Sequence, residues 1–290
     1  MWRLFLMLFL VTPPALGAGE PPGVFVSVVP LKTFVERIGA EAVTVTAMVG
    51  PGHNPHTYDP TPRQIGALAA AQLYIRVGVP FEDTWMARIR AVNPAMEVMD
   101  ARTGLDLGAD HHAPAESESH GDHHHDPEGH DPHVWTDPLL VKRMAAHIRD
   151  TLGRIDPANA EVFTANYHDF AAELETLDAD IRALFAASGN RRFMVYHPAW
   201  SHFAARYGLT QMAIEQEGKE PGARTLGALI ERAREHGVRV IFVQPQMDRR
   251  LPKRLAEEID GRVVVMDPLA ADYVANMRRA ARLIAGNGTP

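Results

Sequence analysis

Four side chains in proline-rich runs have the types and placement to do chemistry. His56 lies in Gly52-His53-Asn54-Pro55-His56-Thr57-Tyr58, and His133 in Asp131-Pro132-His133-Val134-Trp135. His197 lies in Tyr196-His197-Pro198-Ala199-Trp200, and Asp267 in Asp267-Pro268-Leu269. Three imidazoles and a carboxylate suit a borderline-soft divalent cation, with tetrahedral zinc the usual outcome. Neutral rings and one carboxylate would leave the loaded site with a net single positive charge. Pro55, Pro132, Pro198 and Pro268 each adjoin one of the four and stiffen the backbone there. Singly, each residue also fits a duller role, as a solvated loop histidine or a turn aspartate. His53, His147, His168, His202 and His236 are read in that duller way.

The elements around these residues argue for a shared location. Short β-branched runs alternate with helical stretches: Val24 to Val29, Val43 to Val49, Leu73 to Val77 and Glu97 to Asp100 read as strands. Helices are expected over Leu31 to Ile38, from Pro62 after a Thr61 cap, and over Thr84 to Val92. A second block places strands at Phe193 to Tyr196, Gln211 to Ile214, Val238 to Val243 and Val263 to Met266. Helices follow at Thr225 to His236 and Tyr273 to Ile284. Such alternation predicts parallel sheets with helical crossovers. Between the blocks, apolar residues from Phe163 to Phe185 recur at helical spacing, in a helix expected to be capped by Asp156 and opened by Pro157. An unbroken helix there would be on the order of 40 Å long. It reads as a rigid strut between two α/β lobes. His56, His197 and Asp267 then follow strand ends, where ligands of open α/β sheets bind.

Composition narrows the function. The chain has 290 residues, 46% hydrophobic and 22% charged, so it can build a sizeable core. Its formal net charge of −7 lacks the basic footprint of a nucleic-acid binder. With no cysteine, disulfides, thiolate metal sites, cysteine nucleophiles and an acylated-cysteine anchor are excluded. The start, with Arg3, the apolar run Leu4 to Val11 and the small residues Ala15 to Gly19, has the form of a secretory signal peptide cut near Ala18. The expected organisation is a signal peptide over 1–18, an N-terminal lobe over 19–153, a linking helix over 154–189 and a C-terminal lobe over 190–290. Of the fifteen histidines, seven fall between Ala109 and His130, interleaved with Asp and Glu. That tract is nearly free of apolar residues, so it is expected to be mobile and to bind divalent metals weakly.

The four runs, in this order and spacing, resemble the metal-binding motifs of the zinc and manganese solute-binding receptors of ABC importers. The nearest branch is the zinc-specific, ZnuA-like one. The likeness spans nearly the whole chain after the signal peptide. It implies two Rossmann-like lobes joined by one long rigid helix, with the metal held in the cleft between them. Carried over residue by residue, the ligands would be His56, His133, His197 and Asp267. Manganese members tend to have glutamate in place of the third histidine, so His197 favours Zn2+ over Mn2+. A histidine-rich loop before the second ligand is also a zinc-type feature. Gln244, in Phe242-Val243-Gln244-Pro245-Gln246, departs from the glutamate of many relatives and leaves Asp267 as the fourth ligand, with a supporting role open to the glutamine.

The expectation is a non-enzymatic, monomeric periplasmic receptor that captures Zn2+ and delivers it to an ABC permease in the inner membrane. Two alternatives stand beside it. A periplasmic zinc buffer or metallochaperone would carry the same motifs without the permease. A zinc hydrolase would need a ligand position left to water, and the chain has no His-Glu-x-x-His helix motif.

Overall fold

The computed structural model describes residues 20–107, 131–215 and 219–286. The expected signal peptide and the histidine-rich tract lie outside the described residues. Each half of the chain forms a four-stranded, all-parallel sheet. In the first, β1 (Gly23–Val28), β2 (Thr44–Val49), β3 (Leu73–Arg76) and β4 (Glu97–Asp100) lie in the order β2-β1-β3-β4. In the second, β5 (Arg192–Val195), β6 (Thr210–Ala213), β7 (Val240–Val243) and β8 (Arg262–Val265) lie in the corresponding order β6-β5-β7-β8. The order reverses beside the first strand of each sheet, which opens a crevice at the carboxyl ends of the strands. The expected strands are present, with bounds shifted by at most two residues.

The N-terminal sheet is crossed by α1 (Val29–Gly39), α2 (Pro62–Ala67) and α3 (Pro80–Val92). Thr61 caps α2 as expected, because its hydroxyl and the Gln64 side chain exchange bonds in a capping box. Helix α3 starts four residues before the expected Thr84, with Pro80 as its first residue. Then α4 (Pro138–Ile155) begins at Asp137, whose carboxylate accepts from Leu139 and Leu140.

The long central pattern is one helix, α5 (Ala160–Ala187), 28 residues or about 42 Å. Asp156 does not cap it. A 3-10 turn over Pro157–Asn159 intervenes, and Asp156 instead ends α4. The C-terminal lobe adds α6 (Ser201–Tyr207), α7 (Ala223–Glu235), α8 (Arg250–Glu258) and α9 (Tyr273–Ala285). No helix among the described residues is long and apolar enough to cross a membrane.

The lobes share one continuous core. Phe34 of α1 meets Tyr273 of α9 edge-on at 5.0 Å and Phe170 of α5 at 5.9 Å. Arg206 of α6 grips Asp178 of α5 through two bonds of 2.9 and 3.0 Å, within 3.8 Å of Asp137 at the start of α4. The strut is therefore packed into both lobes along its length, which fixes how the strand ends of one lobe face those of the other.

Candidate metal centre

His56 sits in the loop after β2, and local bonds hold that loop rigid. Gly52 adopts φ +80°, which a residue without Cβ takes at no steric cost. The Asn54 side chain accepts from the His56 backbone at 2.9 Å, and Pro55 O accepts from Phe81 at the start of α3. Tyr58 donates to Gln64, whose amide donates back to Met48 O at the end of β2. His133 opens a single 3-10 turn over Val134–Thr136, and the indole of buried Trp135 donates to Pro268 O of the other lobe at 2.9 Å. His197 follows β5, and Glu215 follows the neighbouring strand β6, where its backbone bonds Tyr196 O.

The three imidazoles converge. One ring nitrogen from each of His56, His133 and His197 lies within 4.8 Å of the others, the only such metal-ligating group among the described residues. Ring centroids are 4.5 Å apart for His56 and His197, 5.2 Å for His133 and His197, and 5.7 Å for His56 and His133. The Nε2 atoms of His133 and His197 stand 3.4 Å apart. Two ligand nitrogens of a tetrahedral zinc, each about 2.0–2.1 Å from the ion, are separated by roughly 3.3 Å, so the spacing fits one ion.

Carboxylates turn two of these rings inward. Asp131 Oδ1 accepts from His133 Nδ1 at 2.5 Å and from the His133 backbone at 3.0 Å. Glu215 Oε2 lies 3.3 Å from His197 Nδ1. A carboxylate acceptor at Nδ1 puts the ring proton there and leaves the Nε2 lone pair free for a metal. Glu215 is buried, and the Asp131 side chain is only 15% exposed. Burial pushes the Asp131 carboxyl up, but His133 and then His202 outweigh it and hold it below the usual range.

The site favours neutral rings. Burial, with His133 and His197 alongside, pushes His56 down to about 3. Burial also lowers His197, against the pull of Glu215. Uncharged imidazoles crowded around a common point form a site that a divalent cation can enter without first displacing protons from these two rings.

Asp267 is not among the converging atoms. It follows β8 as expected, but its carboxylate accepts from Leu269 N at 2.9 Å and from the Gln246 side chain, and burial raises its pKa. Gln244 is buried after β7. Of the histidines read as dull, His53, His168 and His236 are exposed and His147 is half-buried. His202 is the exception: it is buried, and its Nε2 lies 3.0 Å from Asp131 O. Sequence reasoning also missed the roles of Asp131 and Glu215. Asp131 is signalled by its place two residues before His133, and Glu215 only by the parallel pairing of β5 with β6.

Known proteins share this fold. The solved structure described as the crystal structure of ZnuA superposes with a TM-score of 0.84 at 34% identity, covering 93% of this chain and all of that one. The high-affinity zinc uptake system protein ZnuA of Bacillus subtilis (strain 168) is 28% identical over 262 residues, 87% of this chain and 79% of that protein. The zinc-binding lipoprotein AdcA of Streptococcus pneumoniae (strain ATCC BAA-255 / R6) is 26% identical over 246 residues, 83% of this chain. The match covers 48% of AdcA, so the chain spans about half the length of that relative. The family model described as ZnuA, zinc-uptake complex component A, periplasmic, matches residues 24–287, and the chain belongs to that family.

Proposed function

We propose that this protein is an exported zinc receptor that captures Zn2+ in its interlobe cleft and hands it to an ABC importer of the inner membrane. The observation that carries the reading is the convergence of three buried or half-buried imidazoles, two of them turned inward by carboxylates. Zinc rather than manganese follows from the donor set, because imidazole nitrogen suits zinc and carboxylate oxygen suits manganese. The names of the relatives agree with zinc as cargo.

The ligands in this reading are His56, His133 and His197, with Asp267 completing the set if its carboxylate turns from Leu269 and Gln246 toward the loaded ion. The protein performs no chemistry of its own. A hydrolase reading gains no support, since Asp131 and Glu215, the carboxylates beside the cluster, are engaged with ligand rings rather than left as a general base. Periplasmic residence and action as a monomer belong to the same proposal.

Competition against a zinc chelator tests it: His133→Ala should lose tight binding while the protein remains folded on its two sheets. A His133→Ala protein with wild-type affinity would end the reading. A strain producing the His133→Ala protein as its sole copy should also grow poorly in zinc-depleted medium. Normal growth there would separate a buffer or metallochaperone from a receptor.

A further inference from the structure

We propose that His202 is a positioning residue for the metal centre, a buried imidazole of the C-terminal lobe that fixes the Asp131–His133 turn and keeps His133 aimed at the ion. The inference rests on the zinc-receptor reading, since it assigns a residue toward that ion.

His202 is the second residue of α6, five positions after His197, and only 5% of its surface is exposed. Its Nε2 lies 3.0 Å from the backbone oxygen of Asp131. A carbonyl oxygen only accepts, so Nε2 carries the proton and donates. The residue it holds is the one that holds His133, through bonds of 3.0 Å to the backbone and 2.5 Å to Nδ1. Any movement of Asp131 is therefore passed to the His133 ring.

At the far end of the same turn, the Trp135 indole donates to Pro268 O. The His133 turn, although it precedes α4, is thus held at both ends by groups of the C-terminal lobe. His197 and His202 come from one short segment, so His202 sets His133 in register with His197, where their Nε2 atoms stand 3.4 Å apart. An apolar side chain would fill the same volume without the cost of burying a polar ring. The imidazole is explained by the bond it makes.

The test compares wild-type protein, His202→Phe, which keeps a ring and loses the donor, and His202→Gln, which restores an N–H. Zinc is loaded and its dissociation into excess chelator is followed by stopped flow. The Co2+-loaded forms are compared by absorption, and the metal-free forms by thermal unfolding. Removing a group bonded directly to a ligand typically costs about 10–100-fold in affinity. One step further out, His202→Phe should raise the zinc dissociation rate about three- to ten-fold and alter the cobalt spectrum, and His202→Gln should recover most of both.

An unchanged off-rate and cobalt spectrum in His202→Phe would overturn the proposal. So would a lower unfolding temperature with no change in off-rate, which would make His202 a packing residue only. Should the phenylalanine variant not fold, 15N NMR of the wild-type rings decides: His202 must carry its proton on Nε2, and a bare Nε2 refutes the bond. His133→Ala runs in the same assays. If it keeps wild-type affinity, the zinc-site reading itself fails, whereas loss in His133→Ala with no change in His202→Phe removes the present inference alone.

Discussion

Replacing Asp131 probes how much of the metal affinity depends on the carboxylate behind a ligand rather than on the ligand itself. Its Oδ1 accepts from His133 Nδ1 at 2.5 Å and from His133 N at 3.0 Å, on a side chain that is only 15% exposed. Asp131→Ala deletes both bonds and leaves a buried imidazole N–H with no partner, a loss of about 1–3 kcal/mol. The ring is then free to rotate or change tautomer, so that Nε2 no longer presents its lone pair to the ion. Zinc affinity should fall about 10–100-fold, equivalent to roughly 1.4–2.7 kcal/mol. Asp131→Asn keeps an oxygen acceptor but removes the charge, and should lie between wild type and alanine. Glu215→Gln, whose carboxylate is farther from its ring at 3.3 Å, should cost less than Asp131→Ala. Chelator competition at pH 7 reads all four proteins. Affinity of Asp131→Ala within two-fold of wild type would refute the orienting role.

Acid should destabilise the metal-free protein through His56. Its folded pKa of about 3 lies below the unfolded value near 6.5, so the unfolded chain binds the extra proton between those limits. That stability is fully present above pH 6.5 and is lost as pH falls toward 3, with a loss of about 1–2 kcal/mol by pH 5 for this partly exposed ring. Denaturant unfolding at pH 7 and pH 5 should show a larger drop in wild type than in His56→Ala, where the lowered His197 remains; an equal drop in the two proteins would contradict it. Because His56 and His197 stay unprotonated to lower pH than free histidine, zinc affinity should decline less between pH 7 and 5 than three unperturbed imidazoles would require, as calorimetry in buffers of different ionisation heat would measure. Asp267→Ala should weaken zinc binding less than any of the three histidine→alanine changes, because its carboxylate already has partners at Leu269 and Gln246. Exchanging Asp110 to Glu128 for a Gly/Ser linker should remove weak metal sites and leave the tight one, and loss of the tight site on titration would place a cleft ligand in that tract.

Much of this architecture is legible in the sequence because parallel strands buried on both faces appear as short β-branched runs between helical stretches. Proline at the first turn of a helix and the Thr61 box mark starts well. Asp156 misleads, since Asp followed by Pro suits the end of α4 and a 3-10 turn as well as a helix cap. The short helices α6 and α8, of seven and nine residues, give too few turns for a clear period. At the site, His56, His133 and His197 are legible because each lies beside a proline in a loop, and two of those loops follow strands.

Asp131, Glu215 and His202 act through neighbours that only the tertiary structure supplies. Glu215 meets His197 because β6 pairs with β5, and His202 meets Asp131 across the lobe boundary, 71 residues away in the chain. Asp267 illustrates the reverse case. Its place after β8 matches that of a ligand, but local bonds to Leu269 and Gln246 hold its carboxylate in a turn. Position along the chain identifies which residues reach the cleft, and the hydrogen bonds decide which of them face it.

The central claim is that one zinc ion is held between the two lobes by a ring nitrogen of His56 and the Nε2 atoms of His133 and His197. An anomalous difference map at the zinc edge, from crystals of the full chain grown with one equivalent of Zn2+, tests it directly. The account predicts a single strong peak about 2.0–2.1 Å from one ring nitrogen of each of the three histidines. A principal peak away from these three rings, or one bound by fewer than three of them, would contradict it.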